Sequence, residues 1–272
     1  MHPLLDCHNH SMHSFDGQEP VDLICRRAAE LELQVFAVTD HCDLYPARYP
    51  VEQVKAAICA SVDEVSRWRQ EHPVSTRILT GFELGEAIDY PALAEEILAM
   101  RPVDVVIGSI HRAGDIEDFY YLDCRSTPVS RILELLDDYF DRLIRLVEWG
   151  KTDVLAHITY PLRYIVGDAG IPVELGRYEE KIDRLLRLTI DSGMALEVNS
   201  SGLRQKIGVP LPDPGIVSRY RQLGGCRITL GSDAHKVGDI ASGIPQCQQL
   251  LRELGFEELT WFRQRQPQTI RL

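Results

Sequence analysis

The sequence predicts an α/β fold built as a barrel of seven strand–helix units, closed by parallel pairing. Two observations carry that expectation: short apolar runs alternate with longer amphipathic ones, and polar residues recur where the short runs end. The runs 4–8, 34–40, 77–83, 103–110, 153–158, 195–200 and 227–232 read as strands rich in Val, Ile and Leu. Between them, 21–33, 51–70, 91–100, 129–149, 174–192 and 214–223 carry helical periodicity, and a last helix is expected over 245–254. Strands separated by crossover helices pair in parallel and are buried on both faces. An open doubly wound sheet fits the same alternation; the placement of the polar residues favours the barrel.

Composition sets the frame. The chain has 272 residues, 44% hydrophobic and 26% charged, enough to bury one sizeable core, so a single domain over 1–272 is expected. No apolar run nears the roughly 20 residues of a spanning helix, and the start MHPLLDCHNH lacks the pattern of a secretion signal. Seven cysteines without a CxxC pair argue against a disulfide framework or zinc ribbon, so a cytoplasmic location and no membrane partner are expected. The net charge of −12 argues against nucleic acid as a partner.

A potential metal ligand stands at almost every strand end. The first run leads to His8 and His10, with Asp16 in the following loop; the second ends at His41, the third at Glu83, the fourth at His111, the fifth at His157, and the seventh leads to Asp233 and His235. In a parallel barrel these ends converge on one face, where active sites lie. Six of the nine histidines therefore point to one place. A single histidine there is more often a hydrogen-bonded structural residue. Nine such groups together are costly to bury unless metal ions satisfy them. His8-x-His10 and Asp233-x-His235 also put both side chains on one side of an extended chain.

Other polar residues take plainer roles. His2 is terminal, His72 follows a helix, and His13 is expected beside the site or in solvent, not as a ligand. Cys7 and Cys42 should pack away from the face their neighbours use, and Asp40 shares that geometry unless a strand-end kink turns it inward. The runs 134–141 and 179–187 read as solvated helix faces. No GxxxxGK[ST], GxGxxG or GxSxG motif is present.

These residues resemble the PHP superfamily, named for polymerase and histidinol phosphatase. The resemblance rests on His8-x-His10 with Asp16-Gly17, Thr39-Asp40-His41, Glu83, Ser109-Ile110-His111, His157 and Gly231-Ser232-Asp233-Ala234-His235, and it spans essentially the whole chain. The stretch from Glu197 to Arg204, and His157 followed by Pro161-Leu162-Arg163-Tyr164, are similar to the histidinol-phosphatase branch. The resemblance implies a distorted (β/α)7 barrel and three divalent metal ions, whether zinc, manganese or iron. It implies one ion on His8, His10, Glu83 and Asp233, a second on Glu83, His111 and His157, and a third on Asp16, His41 and His235. Some relatives have histidine where Asp16 stands. Arg163 and Arg204 would contact the substrate phosphate, which a guanidinium matches with forked donors.

The activity so implied is hydrolysis of a small phosphomonoester, L-histidinol phosphate in histidine biosynthesis, with water activated by the metals as nucleophile. Another phosphorylated metabolite, such as a nucleotide or sugar phosphate, is the alternative substrate. A polymerase-associated module is disfavoured by the full ligand set. An amidohydrolase barrel would need a bridging lysine that no strand end offers. The loop 112–127, with Asp115, Glu117, Asp118 and Asp123 beside Phe119, Tyr120 and Tyr121, is expected to select the non-phosphate end.

Overall fold

A computed structural model describes residues 4–272; His2 lies outside them. Seven parallel strands run in sequential order: β1 (Leu5–Asp6), β2 (Val35–Asp43), β3 (Arg77–Gly85), β4 (Val105–Ser109), β5 (Val154–Leu155), β6 (Ala195–Asn199) and β7 (Ile228–Gly231). Each pairs only with its sequence neighbour along the sheet, as the alternation predicts for a barrel. The seam between first and last strands is closed by Cys7 N–H to Leu230 O at 2.9 Å, Asp233 N–H to His8 O at 2.8 Å and His10 N–H to Ala234 O at 2.8 Å. Asp6 locks it from inside, accepting from Ser232 N at 2.8 Å, Ser232 Oγ at 2.6 Å and Ala241 N at 2.8 Å. The open-sheet alternative is thereby excluded.

The crossover helices are α1 (Val21–Glu30), α2 (Val51–Glu71), α3 (Pro91–Leu98), α4 (Val129–Trp149), α5 (Glu179–Ser192) and α6 (Pro214–Gln222), and α7 (Ile244–Glu253) follows the last strand. Their ends follow local chemistry. Pro128 precedes α4, and Gly150 in a left-handed conformation (φ 69°) ends it. Asp213 caps α6 by accepting from Gly215 N at 2.8 Å, with Pro214 at its first position. The stretch expected as the start of a helix at residue 174 is instead a 3-10 turn over Leu175–Tyr178 that leads into α5. Among the described residues, no helix is long and apolar enough to cross a membrane.

One element has no counterpart in the sequence-based expectation. After α7 the chain forms an antiparallel hairpin, β8 (Glu258–Arg263) and β9 (Gln266–Arg271). Leu259, Trp261 and Phe262 are buried. The turn residues bind the starts of two barrel strands: Arg265 N donates to Asp104 O at 2.8 Å, and Arg265 Nε to Asp153 Oδ2 at 2.9 Å. The hairpin thus packs at the N-terminal end of the barrel, opposite the ligand face. Gln264 and Arg265 both have positive φ (50° and 61°), the backbone of a two-residue hairpin turn usually signalled by Asn or Gly.

Candidate metal centre

The parallel strands deliver the nine predicted donors to the C-terminal mouth of the barrel. His41 and Glu83 lie within β2 and β3, whereas His8, His10, His111, His157, Asp233 and His235 sit just past the ends of their strands. Two glycines permit the close approach. A Cβ on Gly231 would collide with His8 and the Glu197 carboxylate, and one on Gly17 would strike the Ser11 carbonyl beneath the Asp16 loop. Asp233 itself takes φ 54°, a conformation costly for a residue with a Cβ and held here by the seam hydrogen bond from its own N–H.

Three groups of donors result. In the first, His8 Nε2 lies 3.3 Å from Glu83 Oε2, and His10 Nε2 lies 3.3 Å from Asp233 Oδ1. The cross distances, His8 to Asp233 and His10 to Glu83, are 3.9 and 3.7 Å. Donors sharing a small cation at about 2.0–2.1 Å in a tetrahedron stand about 3.3 Å apart, so this spacing fits one ion. In the second, Glu83 Oε1 is 3.2 Å from His111 Nε2 and 3.0 Å from His157 Nε2. Glu83 therefore offers one oxygen to each group. In the third, Asp16 Oδ2 is 3.3 Å from His235 Nε2, and Asp16 Oδ1 is 3.7 Å from His41 Nε2. His10 stands between the first and third groups, its ring 4.2 Å from that of His41 and 4.1 Å from that of His235.

Several polar atoms that face one another here are left without partners. His8 Nε2, His10 Nε2, His41 Nδ1 and Glu83 Oε2 are buried and make no hydrogen bond. His235 Nε2 and His41 Nε2 face each other at 3.4 Å. Buried orphan nitrogens and oxygens of this kind are costly, and a shared cation relieves the cost. The opposite ring nitrogens are occupied: His8 Nδ1 donates to Glu197 Oε1 at 2.6 Å, while His10 Nδ1 meets Ser14 Oγ at 3.1 Å and His235 Nδ1 the Asp233 carbonyl at 3.0 Å. Such outer partners fix the tautomer and leave Nε2 turned inward. The residues present fit a metal centre.

The charges respond to this packing: burial alone would lower His8, His41 and His111, but Glu83 and the neighbouring carboxylates raise all three. Burial alone would push the Glu83 and Asp233 carboxyls upward, but the surrounding histidines hold both well below the ordinary range. Asp16, also raised by burial, is brought down to about 2 by His235 and His41. Burial, together with His235 and His41, lowers His10 to about 3, so its imidazole is neutral and able to ligate.

The arginines flank this centre on different sides. Arg163 lines a mouth cavity of about 430 Å3 together with Glu83, His111, His157, Asp233 and His235. Its Nη2 donates to Ser201 Oγ at 2.7 Å and to Asp233 Oδ2 at 3.3 Å, and its Nε is buried without a partner. Arg204 lies in an adjoining cavity of about 380 Å3 that shares Arg163, Asp233 and His235. It is held by Ser232 O at 2.8 Å, and its Nη1 is buried and unpartnered.

Around the mouth stand Phe15, Tyr49, Tyr120, Tyr121, Tyr160 and Tyr164. Of the four acids in the loop 112–127, Asp118 alone lines this cavity. Asp115 pairs with Arg131, Glu117 with Arg48, and Asp123 with Ser126. Tyr160 Oη donates to Asp118 Oδ1 at 2.8 Å, and burial raises the Asp118 carboxyl above its ordinary range.

The plainer assignments agree with the structure. His13 pairs with Glu64 at 2.7 Å, and His72 stacks on Trp68. Cys7 and Cys42 are buried in the core. Asp40 does not turn into the site; it accepts from Ser11, Ser14 and Ser61 and braces the first ligand loop. Two acids were not singled out. Glu197 supports His8 and also accepts from His157 N at 2.9 Å. Asp43 Oδ1 lies 3.8 Å from His41 Nδ1 and 3.7 Å from His111 Nδ1. The signal for Glu197 was a carboxylate in the middle of an apolar strand.

Comparison with known proteins agrees with this geometry. The chain is 29% identical over 256 residues to a probable histidinol-phosphatase of Thermotoga maritima, covering 94% of each chain. It is 26% identical over 267 residues to the histidinol-phosphatase of Lactococcus lactis, covering 95% of this chain and 94% of that one. Its fold matches the crystal structure of histidinol phosphate phosphatase from Lactococcus lactis, complexed with zinc, L-histidinol and phosphate, with a TM-score of 0.82 at 22% identity, over 98% of this chain and 99% of that one. Residues 6–201 match the PHP domain, and the chain belongs to that family.

Proposed function

We propose that the protein is a metal-dependent phosphatase that hydrolyses L-histidinol phosphate to L-histidinol and phosphate in histidine biosynthesis. The observation that carries this reading is the convergence of nine donors, all but Asp16 buried or half-buried and several with orphaned inner atoms, beside the guanidinium of Arg163. The names of the relatives, and the zinc, L-histidinol and phosphate in the Lactococcus lactis structure, support the same substrate.

Three divalent ions are assigned: one to His8, His10, Glu83 and Asp233, one to Glu83, His111 and His157, and one to Asp16, His41 and His235. Zinc, manganese and iron all suit imidazole and carboxylate donors. Such ions supply an activated water near neutral pH and stabilise charge on the phosphoryl oxygens. Their six positive charges exceed the three of Asp16, Glu83 and Asp233, which reconciles an anionic substrate with an acidic chain.

The chain's own residues do the rest. Arg163 and Arg204, which line adjoining cavities at the mouth, bind phosphate oxygens from two sides. Asp118 meets the ammonium of the leaving alcohol, and the tyrosine rim takes the flat imidazole and keeps bulk water out. Phosphate release from histidinol phosphate should be measured after loading with each metal separately. Efficient turnover that a chelator abolishes is expected; preference for a nucleotide or sugar phosphate would overturn the substrate assignment.

A further inference from the structure

The opposite end of the barrel holds a second cavity, of about 400 Å3, bounded by the last turn of α2, the start of β3 and the strand β8. It shares no lining residue with the metal centre. Leu79 lines it four residues before Glu83, which at about 3.3 Å of rise per residue puts the two about 13 Å apart along one strand.

Its wall carries three guanidinium groups and one carboxylate. Arg69 is committed, with Nη1 on Asp104 Oδ2 at 2.9 Å and Ile78 O at 3.2 Å. Asp104 is satisfied as well, since it also accepts from Thr80 N and Gln264 N, both at 3.1 Å. Arg77 and Arg263 differ. Among the described residues neither side chain has an ion pair or a hydrogen bond, both residues are exposed, and the Arg77 guanidinium lies 5.8 Å from the Trp261 ring centre. Both side chains therefore keep their guanidinium donors uncommitted on one wall of the cavity. Thr76 adds an independent sign: it is 4% exposed, lines the same cavity, and its Oγ1 is buried without a partner. An unsatisfied buried hydroxyl calls for a partner, whether water, ion or ligand. Trp261, 9% exposed, gives the cavity an aromatic wall.

We propose that this cavity binds a small organic anion, an aromatic phosphate or carboxylate. Arg77, Arg263 and the Thr76 hydroxyl hold its acidic group, and its flat portion lies against Trp261. A guanidinium pair suits a carboxylate or phosphate, and the volume suits a ligand of metabolite size.

Phenylphosphonate, whose carbon–phosphorus bond a phosphatase leaves intact, is the probe. Calorimetric titration of the metal-loaded full chain should reveal a binding event that Arg163→Ala leaves in place. The double variant Arg77→Gln/Arg263→Gln should weaken that event at least tenfold while kcat stays within twofold. Arg77→Lys/Arg263→Lys, which keeps the charge, should retain part of it and serves where the glutamine pair does not fold. Trp261→Phe should weaken it less. The absence of any event surviving Arg163→Ala would overturn the proposal, and so would one that the glutamine pair and the lysine pair leave unmoved.

Discussion

His8 Nδ1 donates to Glu197 Oε1 at 2.6 Å past Gly231 of the intervening β7, so the orientation of the first inward-facing imidazole is set by a carboxylate that does not itself face the mouth cavity. Supporting carboxylates of this kind are worth about 10- to 100-fold in metal affinity. Glu197→Gln is expected to weaken metal binding by about that factor, measured by competition with a chromophoric chelator, and excess metal should restore part of the activity. Undiminished affinity would mean that seam packing alone orients His8.

Glu83 gives one carboxylate oxygen to each of two histidine groups. Glu83→Ala should therefore lower metal content by more than one ion per chain, read by elemental analysis. Activity should fall by more than about 100-fold, the upper end for a supporting residue. Loss of a single ion would contradict the bridge.

Arg163 donates to Ser201 and Asp233, lies against the Tyr160 and Tyr164 rings, and lines the mouth cavity. Arg163→Ala should reduce kcat/KM for a phosphomonoester by roughly 100- to 1,000-fold, as for other preorganised donors to developing charge. Metal content should be nearly unchanged. A parallel loss of metal would reassign Arg163 as a brace for Asp233. Arg204→Ala is expected to act in the same direction.

Asp118 is the one acid of its loop that faces the cavity. A hydrogen bond to a charged group contributes about 1.5–3 kcal/mol, so Asp118→Asn should raise KM for histidinol phosphate by roughly 10- to 100-fold and leave turnover of an aryl phosphate unaffected. Equal losses on both substrates would point to damaged metal geometry instead.

At the far end, Arg265 ties the hairpin turn to Asp153 at 2.9 Å, and Asp153 in turn accepts from Val106 N at 2.8 Å. Arg265→Ala should cost about 1–3 kcal/mol of stability in urea unfolding, the range for a charged group losing its partner. kcat should not change.

The barrel and the convergence of nine candidate donors on one mouth were legible because each rested on a repeated signal. Seven apolar runs fixed the topology, and the donors fell at a constant place relative to those runs. What stayed hidden depended on single contacts. The turn at Gln264-Arg265 lacks the glycine or asparagine that marks such a hairpin, and β9 is too polar and exposed to stand out as a strand. Asp118 could not be separated from Asp115, Glu117 and Asp123, since only tertiary packing decides which acid finds an arginine and which faces the cavity. The role of Glu197 required knowing that its strand lies beside the first one's ligand loop.

The seam between β1 and β7 joins the two ends of the chain in time as well as space. His8 and His10 leave the ribosome early, but Asp233, their partner in the first donor group, follows more than 200 residues later. At about 5–20 residues per second, those histidines exist for roughly ten seconds or more before their fourth ligand is synthesised. During that interval no nascent chain can bring these four side chains together, so the complete group forms only at the close of translation, when the seam hydrogen bonds from Asp233 N and His10 N can form.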